Sequence, residues 1–119
     1  MSAEIIEYSG GVLTSRVSGL LKFEEMAAIQ KRAGGLIREH GPISLLTVLE
    51  DFQGLAKAGD WGDISFQMEF DDHLRKIAVV GDTKWKETAE VFTGKGVRRV
   101  AIEFFPPEKL ADAKAWARA

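Results

Sequence analysis

Apolar positions follow two rhythms along this chain, and the switch from one to the other marks out its elements. Arg75–Val80 ends in four consecutive strand formers, Ile77–Val80. A run apolar on both faces predicts a central strand covered from both sides. Gly81 ends it, and Asp82-Thr83 can cap a helix that opens with Lys84 and Trp85. Ile43–Leu49 (ISLLTVL) repeats the signal and should lie beside it. Glu4–Tyr8 and Val12–Ser18 are shorter strand candidates joined through Gly10-Gly11, a pair that accepts the positive φ of a tight hairpin. Val97–Phe105 alternates, with Val100, Ile102 and Phe104 opposite Arg99 and Glu103, which is the pattern of an edge strand with one wet face.

Helical spacing fills the intervals. Phe23–Glu39 sets Met26, Ile29, Ala33, Leu36 and Ile37 three and four residues apart, and Gly41-Pro42 stops it. Gly34-Gly35 lies inside this helix, where each glycine costs about 1 kcal/mol against alanine. Close packing on a neighbour, or a mild kink, is expected there rather than a functional hinge. Thr83–Phe92 gathers Trp85, Thr88, Ala89 and Phe92 on one face, and Pro106-Pro107 opens a closing helix through Leu110, Ala113 and Trp116. Gln53–Asp60 is expected to be a loop and Trp61–Asp72 a helix. The order predicts one α/β domain over residues 1–119, a hairpin then alternating helix–strand units. Its sheet is mixed but mostly parallel, with about five strands and about four helices.

The segment Trp61–Phe70 departs from this regularity. On a helix, Trp61, Ile64 and Met68 share one face, while Phe66 and Phe70 pair on nearly the opposite one. Only one face can meet the sheet, so the other calls for a ligand, a second subunit, a membrane surface or a covering loop. The alternative is that the helix is irregular. Leu55, Ala56 and Ala58 add apolar material outside any core periodicity, which suggests a flap over a small pocket.

Composition narrows the function classes. With 119 residues, 45% hydrophobic and 29% charged, the chain can bury one core, and a formal net charge of −2 argues against a nucleic-acid partner. It has no cysteine, so disulfides, thiol catalysis and thiolate metal sites are excluded. MSAEIIEYSGG lacks a signal peptide's basic start and apolar core, and a cytoplasmic setting is expected. His40 and His73 each follow a predicted helix, where the dipole accounts for them. There is no G-x-S-x-G, Walker or G-x-G-x-x-G pattern, so no catalytic residue, metal or cofactor is expected. Lys84, Lys86, Lys95, Arg98 and Arg99, with Trp85 among them, could form a basic strip, although ordinary helix and strand surface charge is the favoured explanation.

The chain resembles the SpoIIAA-like family in LLTVLEDFQG (Leu45–Gly54), in the pair Trp61-x-Asp63, and above all in RKIAVVGDTKW (Arg75–Trp85). Phe104-Phe105 and Ala115-Trp116 fit as well. The resemblance implies a STAS-type α/β sandwich, related in architecture to anti-sigma-factor antagonists and lipid-carrying CRAL-TRIO domains. In the antagonists a serine after a central strand is phosphorylated to switch partner binding. Here the matching stretch, Glu50–Ala58, contains no Ser or Thr.

The expectation is a non-enzymatic domain that binds a small apolar or lipid-like ligand and possesses some capacity to meet a membrane surface. Leu55, Trp61, Ile64, Phe66, Met68, Phe70 and Trp85 are its candidate walls, and self-association as a homodimer through the same surface is expected when no ligand is present. The rival reading is a protein-interaction module of the sigma-regulator type without the phosphoswitch. A third places an enzyme at the Gly81–Thr83 corner, with Asp82 as its test residue.

Overall fold

The computed structural model describes residues 2–119. The elements run β1 (Ala3–Ser9), β2 (Val12–Leu21), α1 (Phe23–His40), β3 (Ile43–Leu55), α2 (Ser65–Phe70), β4 (Leu74–Val80), α3 (Lys86–Thr93), β5 (Ala101–Phe105) and α4 (Leu110–Arg118). The strands form one sheet in the order β1-β2-β3-β4-β5, antiparallel between β1 and β2 and parallel thereafter. Gly10 and Gly11, at φ 59° and 76°, make the hairpin turn, a conformation that a side chain at either position would oppose.

Each strand after β2 is added on the same side of the sheet, and a helix makes each crossover. Crossovers of one hand that advance in one direction put every helix on one face. Accordingly α1, α2 and α3 share a face. Ala33, Leu36, Ile37, Phe66, Phe70 and Ala89 pack there on Leu13, Ile43, Ile77, Val79 and Ile102. After β5 no further strand follows, so α4 is free to cross over. Its Ala113 and Ala117 cover the opposite face against Val12, Leu46, Ala78 and Val80. β4 thus sends Ile77 and Val79 to one core and Ala78 and Val80 to the other, as its unbroken apolar run predicts.

Four local expectations are corrected. β3 runs on to Leu55, so the loop begins at Ala56 rather than Gln53. Register shifts against β2 fall at Ser18/Gly19 and Gly19/Leu20, and Asp51 takes φ 50°. Each shift resets the in–out parity, so Leu49, Phe52 and Leu55 all reach the same cluster at a spacing of three, which reads as neither strand nor helix. The helix expected over Trp61–Asp72 contracts to α2 plus a 3-10 turn at Asp71–His73. The Asp63 carboxylate takes the Ser65 N–H at 2.9 Å, so the helix starts after Gly62 and Asp63, and Trp61 lies outside it. The helix expected from Thr83 begins as a 3-10 turn, Thr83–Trp85, before α3. The last strand starts at Ala101, and Val97 stands 90% exposed in the preceding turns.

Gly34 is explained by packing. A Cβ there would lie 2.9 Å from the Phe70 ring, so the missing side chain is what lets α2 dock on α1.

Candidate functional site

Between α1 and α3 the helices leave part of the sheet uncovered, α2 being only six residues long. The gap is a cavity of about 170 Å³ adjoined by a second of about 100 Å³, the two sharing Val17, Leu21, Thr47, Ile77, Phe92 and Thr93 in their walls. Met26 and Ile29 of α1 flank the larger chamber, and Leu49, Phe52 and Ala89 flank the smaller.

The 56–64 loop covers the opening, and Trp61 holds it there. The Trp61 indole N–H donates to the Ala56 carbonyl at 2.8 Å. Its ring meets Phe23 and Phe92 edge-on, with centroids 5.4 and 5.7 Å away. Trp61 therefore ties the loop to both α1 and α3. Gly59 fits against Phe23 with no room for a Cβ and sits at φ 115°, so the cover depends on a glycine there.

Three of the seven candidate residues line these chambers: Trp61 and Phe66 the larger, and Leu55 the smaller. Phe70 is core instead. It is buried beneath Gly34, with its ring 5.1 Å from that of Phe66 and the Arg38 guanidinium 5.0 Å from its centroid. Trp85 lies elsewhere, edge-on to Phe52 at 4.8 Å, and lines a separate hollow with Asp51, Asp82 and Lys84. Ile64 and Met68 point outward, 55% and 79% exposed. The face shared by Trp61, Ile64 and Met68 does not exist, because its premise was a helix through Trp61.

The polar groups in the larger chamber are residues that the apolar pattern did not single out, although it marked the elements that carry them. Ser15 and Thr47 stand at inward positions of β2 and β3, with their hydroxyl oxygens 3.2 Å apart. Two polar residues on the inward side of central strands were the available signal. Gln67 also lines the chamber, and its Oε1 is buried with no hydrogen-bond partner. Arg98 is paired, its Nε donating to an Asp71 carboxylate oxygen at 3.0 Å and its Nη1 to the Thr93 carbonyl at 2.9 Å. The Thr93 hydroxyl donates to the Ala89 carbonyl at 2.7 Å. At the mouth, the Ser65 backbone N–H holds the Asp63 carboxyl below its ordinary range.

The basic strip disperses. Arg98 pairs with Asp71, Lys95 lies 3.6 Å from Glu90 and 3.5 Å from Glu103, and Lys84 sits 6.0 Å from the Trp85 ring centroid. At the Gly81–Thr83 corner, Asp82 accepts the Lys84 N–H at 2.9 Å and so acts as a cap. His40 stacks on Tyr8 at 5.4 Å. Among the described residues, no group of three or more His, Asp or Glu is placed to hold a metal ion. Among those residues, too, no helix is long and apolar enough to cross a membrane.

A model of the SpoIIAA-like family matches residues 12–118. The chain belongs to the SpoIIAA-like family. A solved structure, that of an uncharacterized DUF3478-family protein with a SpoIIAA-like fold from Shewanella loihica PV-4, superposes with a TM-score of 0.70 at 19% identity. The match covers 97% of this chain and 91% of that one. At that identity the likeness establishes a shared fold and nothing about ligands. No curated protein matches the chain.

Proposed function

We propose that this SpoIIAA-like protein is a non-enzymatic, cytoplasmic domain that takes up a small apolar or lipid-like molecule between α1 and α3. One observation carries the reading: a half-open, mainly apolar cavity lies there beneath the Trp61 loop, unfilled by side chains. Interiors otherwise pack to crystal density, with few voids larger than a water molecule. A cavity of about 150 Å³ with aliphatic walls is enough to bind benzene. The larger chamber, at about 170 Å³, is therefore of a size for a single ring or a short alkyl chain. Leu55, Trp61 and Phe66 serve as walls, joined by Val17, Met26, Ile29 and Phe92.

Native mass spectrometry before and after organic extraction tests this. The expected result is a small-molecule adduct that leaves on extraction and is absent from Phe66→Asp. A bare chain mass in every preparation, together with failure to take up added eight-carbon probes, would defeat the reading.

A second reading rests on Ile64 and Met68, two exposed apolar side chains four residues apart beside the covering loop. They support self-association as a homodimer, docking on a partner of the sigma-regulator type, or contact with a membrane surface. Light scattering on Met68→Asp separates these cases from the cavity reading. Loss of a dimer without loss of a bound molecule would assign the two roles to different surfaces.

A further inference from the structure

We infer that the site takes a linear amphiphile tail-first. The alkyl chain passes from the larger chamber into the smaller, the polar end stays at the mouth beside Trp61, and Ala89 sets how deep the tail can reach. The inference rests on the ligand-binding reading above and gives the ligand a shape and a direction in that site. It starts from how the two chambers lie on the sheet. Val17, Leu21, Thr47 and Ile77 form a floor common to both. Ser15 and Leu45 extend that floor only in the larger chamber, and Leu49, Phe52, Leu55 and Val79 only in the smaller. In the sheet Ser15 pairs with Thr47, Leu45 with Ile77 and Thr47 with Val79. The smaller chamber is therefore displaced from the larger toward the carboxyl ends of β3 and β4. From Leu45 to Leu49 the strand advances about 13 Å. An extended chain can follow that course from one chamber into the next, whereas a compact ring occupies the larger alone.

Polarity divides along the same line. The charged and amide side chains of the lining, Gln30, Asp63, Gln67 and Arg98, all belong to the larger chamber. The smaller is walled by aliphatic and aromatic side chains and by Thr47, Thr88 and Thr93. Thr93 commits its hydroxyl hydrogen to the Ala89 carbonyl at 2.7 Å, and the Thr47 hydroxyl lies 3.2 Å from that of Ser15. A polar group driven into the smaller chamber forfeits its hydration for little return, whereas a methylene gains there by leaving water. At the mouth, beside the exposed Asp63, a polar end keeps its water.

Ala89 controls the depth because it is the smallest of the α3 side chains over the smaller chamber, the others being Thr88, Phe92 and Thr93. A longer side chain at that position fills the smaller chamber from above. It leaves the lining of the larger one, which does not include Ala89, as it was.

Isothermal titration of the extracted, full-length protein with the linear 1-alkanols from butanol to decanol, and with cyclooctanol, tests the assignment. Each added methylene is expected to tighten binding about fourfold until the tail fills the smaller chamber, after which the gain stops. Ala89→Leu should bring that stop to shorter chains and weaken 1-octanol about tenfold, equivalent to losing roughly two methylenes. Cyclooctanol affinity should be unchanged in the same variant. Ala89→Met provides the same readout should the leucine variant fail to fold. An unchanged chain-length limit in the folded variants, or equal losses for 1-octanol and cyclooctanol, overturns the tail assignment and leaves the apolar pocket standing. Binding of neither the linear alcohols nor cyclooctanol overturns both.

Discussion

The two faces of the sheet solve the same packing problem in different ways. On the α4 face, Ala113 and Ala117 are wholly buried against Ala78, itself without exposed surface, and small side chains bring the helix close to the strands. Leu46 and Val80 fill what remains, both 1% exposed. On the opposite face three helices divide the cover. α1 and α2 close together through Gly34 and Phe70, but between α1 and α3 a gap remains that only the Trp61 loop spans. One face is closed by regular helix packing, and the other leaves a space that a loop must roof. A void is thus localised to the part of the molecule where function is proposed.

Truncation should separate the faces most strongly. Leu46→Ala, on the closed face, is expected to cost roughly 2–5 kcal/mol by chemical denaturation, through lost burial and the cavity left behind. Met26→Ala, at a chamber wall that is already half open, should cost well under half of that. Equal losses would mean that the gap is filled in solution. Enlargement should reverse the order. Ala113→Leu is expected to lose about 1–3 kcal/mol by overpacking, whereas Ala89→Leu, which projects toward the smaller chamber, should be near neutral and reduce uptake of eight-carbon probes.

Gln67→Leu sharpens the comparison within the open face. Removing a buried, unpartnered oxygen should stabilise the ligand-free protein by about 1 kcal/mol, since an unsatisfied group of this kind costs ~1–3 kcal/mol. Thermal melts of extracted protein read this directly, and no gain would mean that the oxygen already has a partner.

The smallest effect belongs to Glu25, in the first turn of α1, whose carboxylate accepts the Ser2 hydroxyl and the Ser2 and Ala3 backbone N–H groups. The Ser2 hydroxyl contributes most to holding its pKa below the ordinary value. A depressed carboxylate adds stability above its unfolded-state pKa and loses it as the pH falls through the lower folded-state pKa. Glu25→Gln should therefore flatten the acid limb of the stability profile by removing a small contribution present above about pH 4.5, and leave the acid end little changed. An identical acid limb in the variant would remove Glu25 from the linkage.

Much of the architecture was legible in the residues because its signals are local. Ile77–Val80 identifies a central strand without reference to any partner, Gly10-Gly11 a hairpin, and Val100/Ile102 with Arg99/Glu103 an edge. The α/β alternation then determines a mostly parallel sheet, and the family resemblance carried by Arg75–Trp85 agrees with the match over residues 12–118. The site was legible only in part. Trp61, Phe66 and Leu55 were marked by apolar excess, which is a property of sequence. Ile64, Met68, Phe70 and Trp85 carried the same excess and went to other places.

The sequence by itself determined the elements, their order and the helix–strand alternation, because periodicity and turn chemistry act over a few residues. Tertiary structure alone decided where β3 ends, since its last residues follow a bulged register with β2 that no local period records. It also decided that Trp61 roofs a cavity instead of lining a helix. That outcome depends on Ala56, Phe23 and Phe92 meeting one indole from three separate segments, and only the closed chain brings them together.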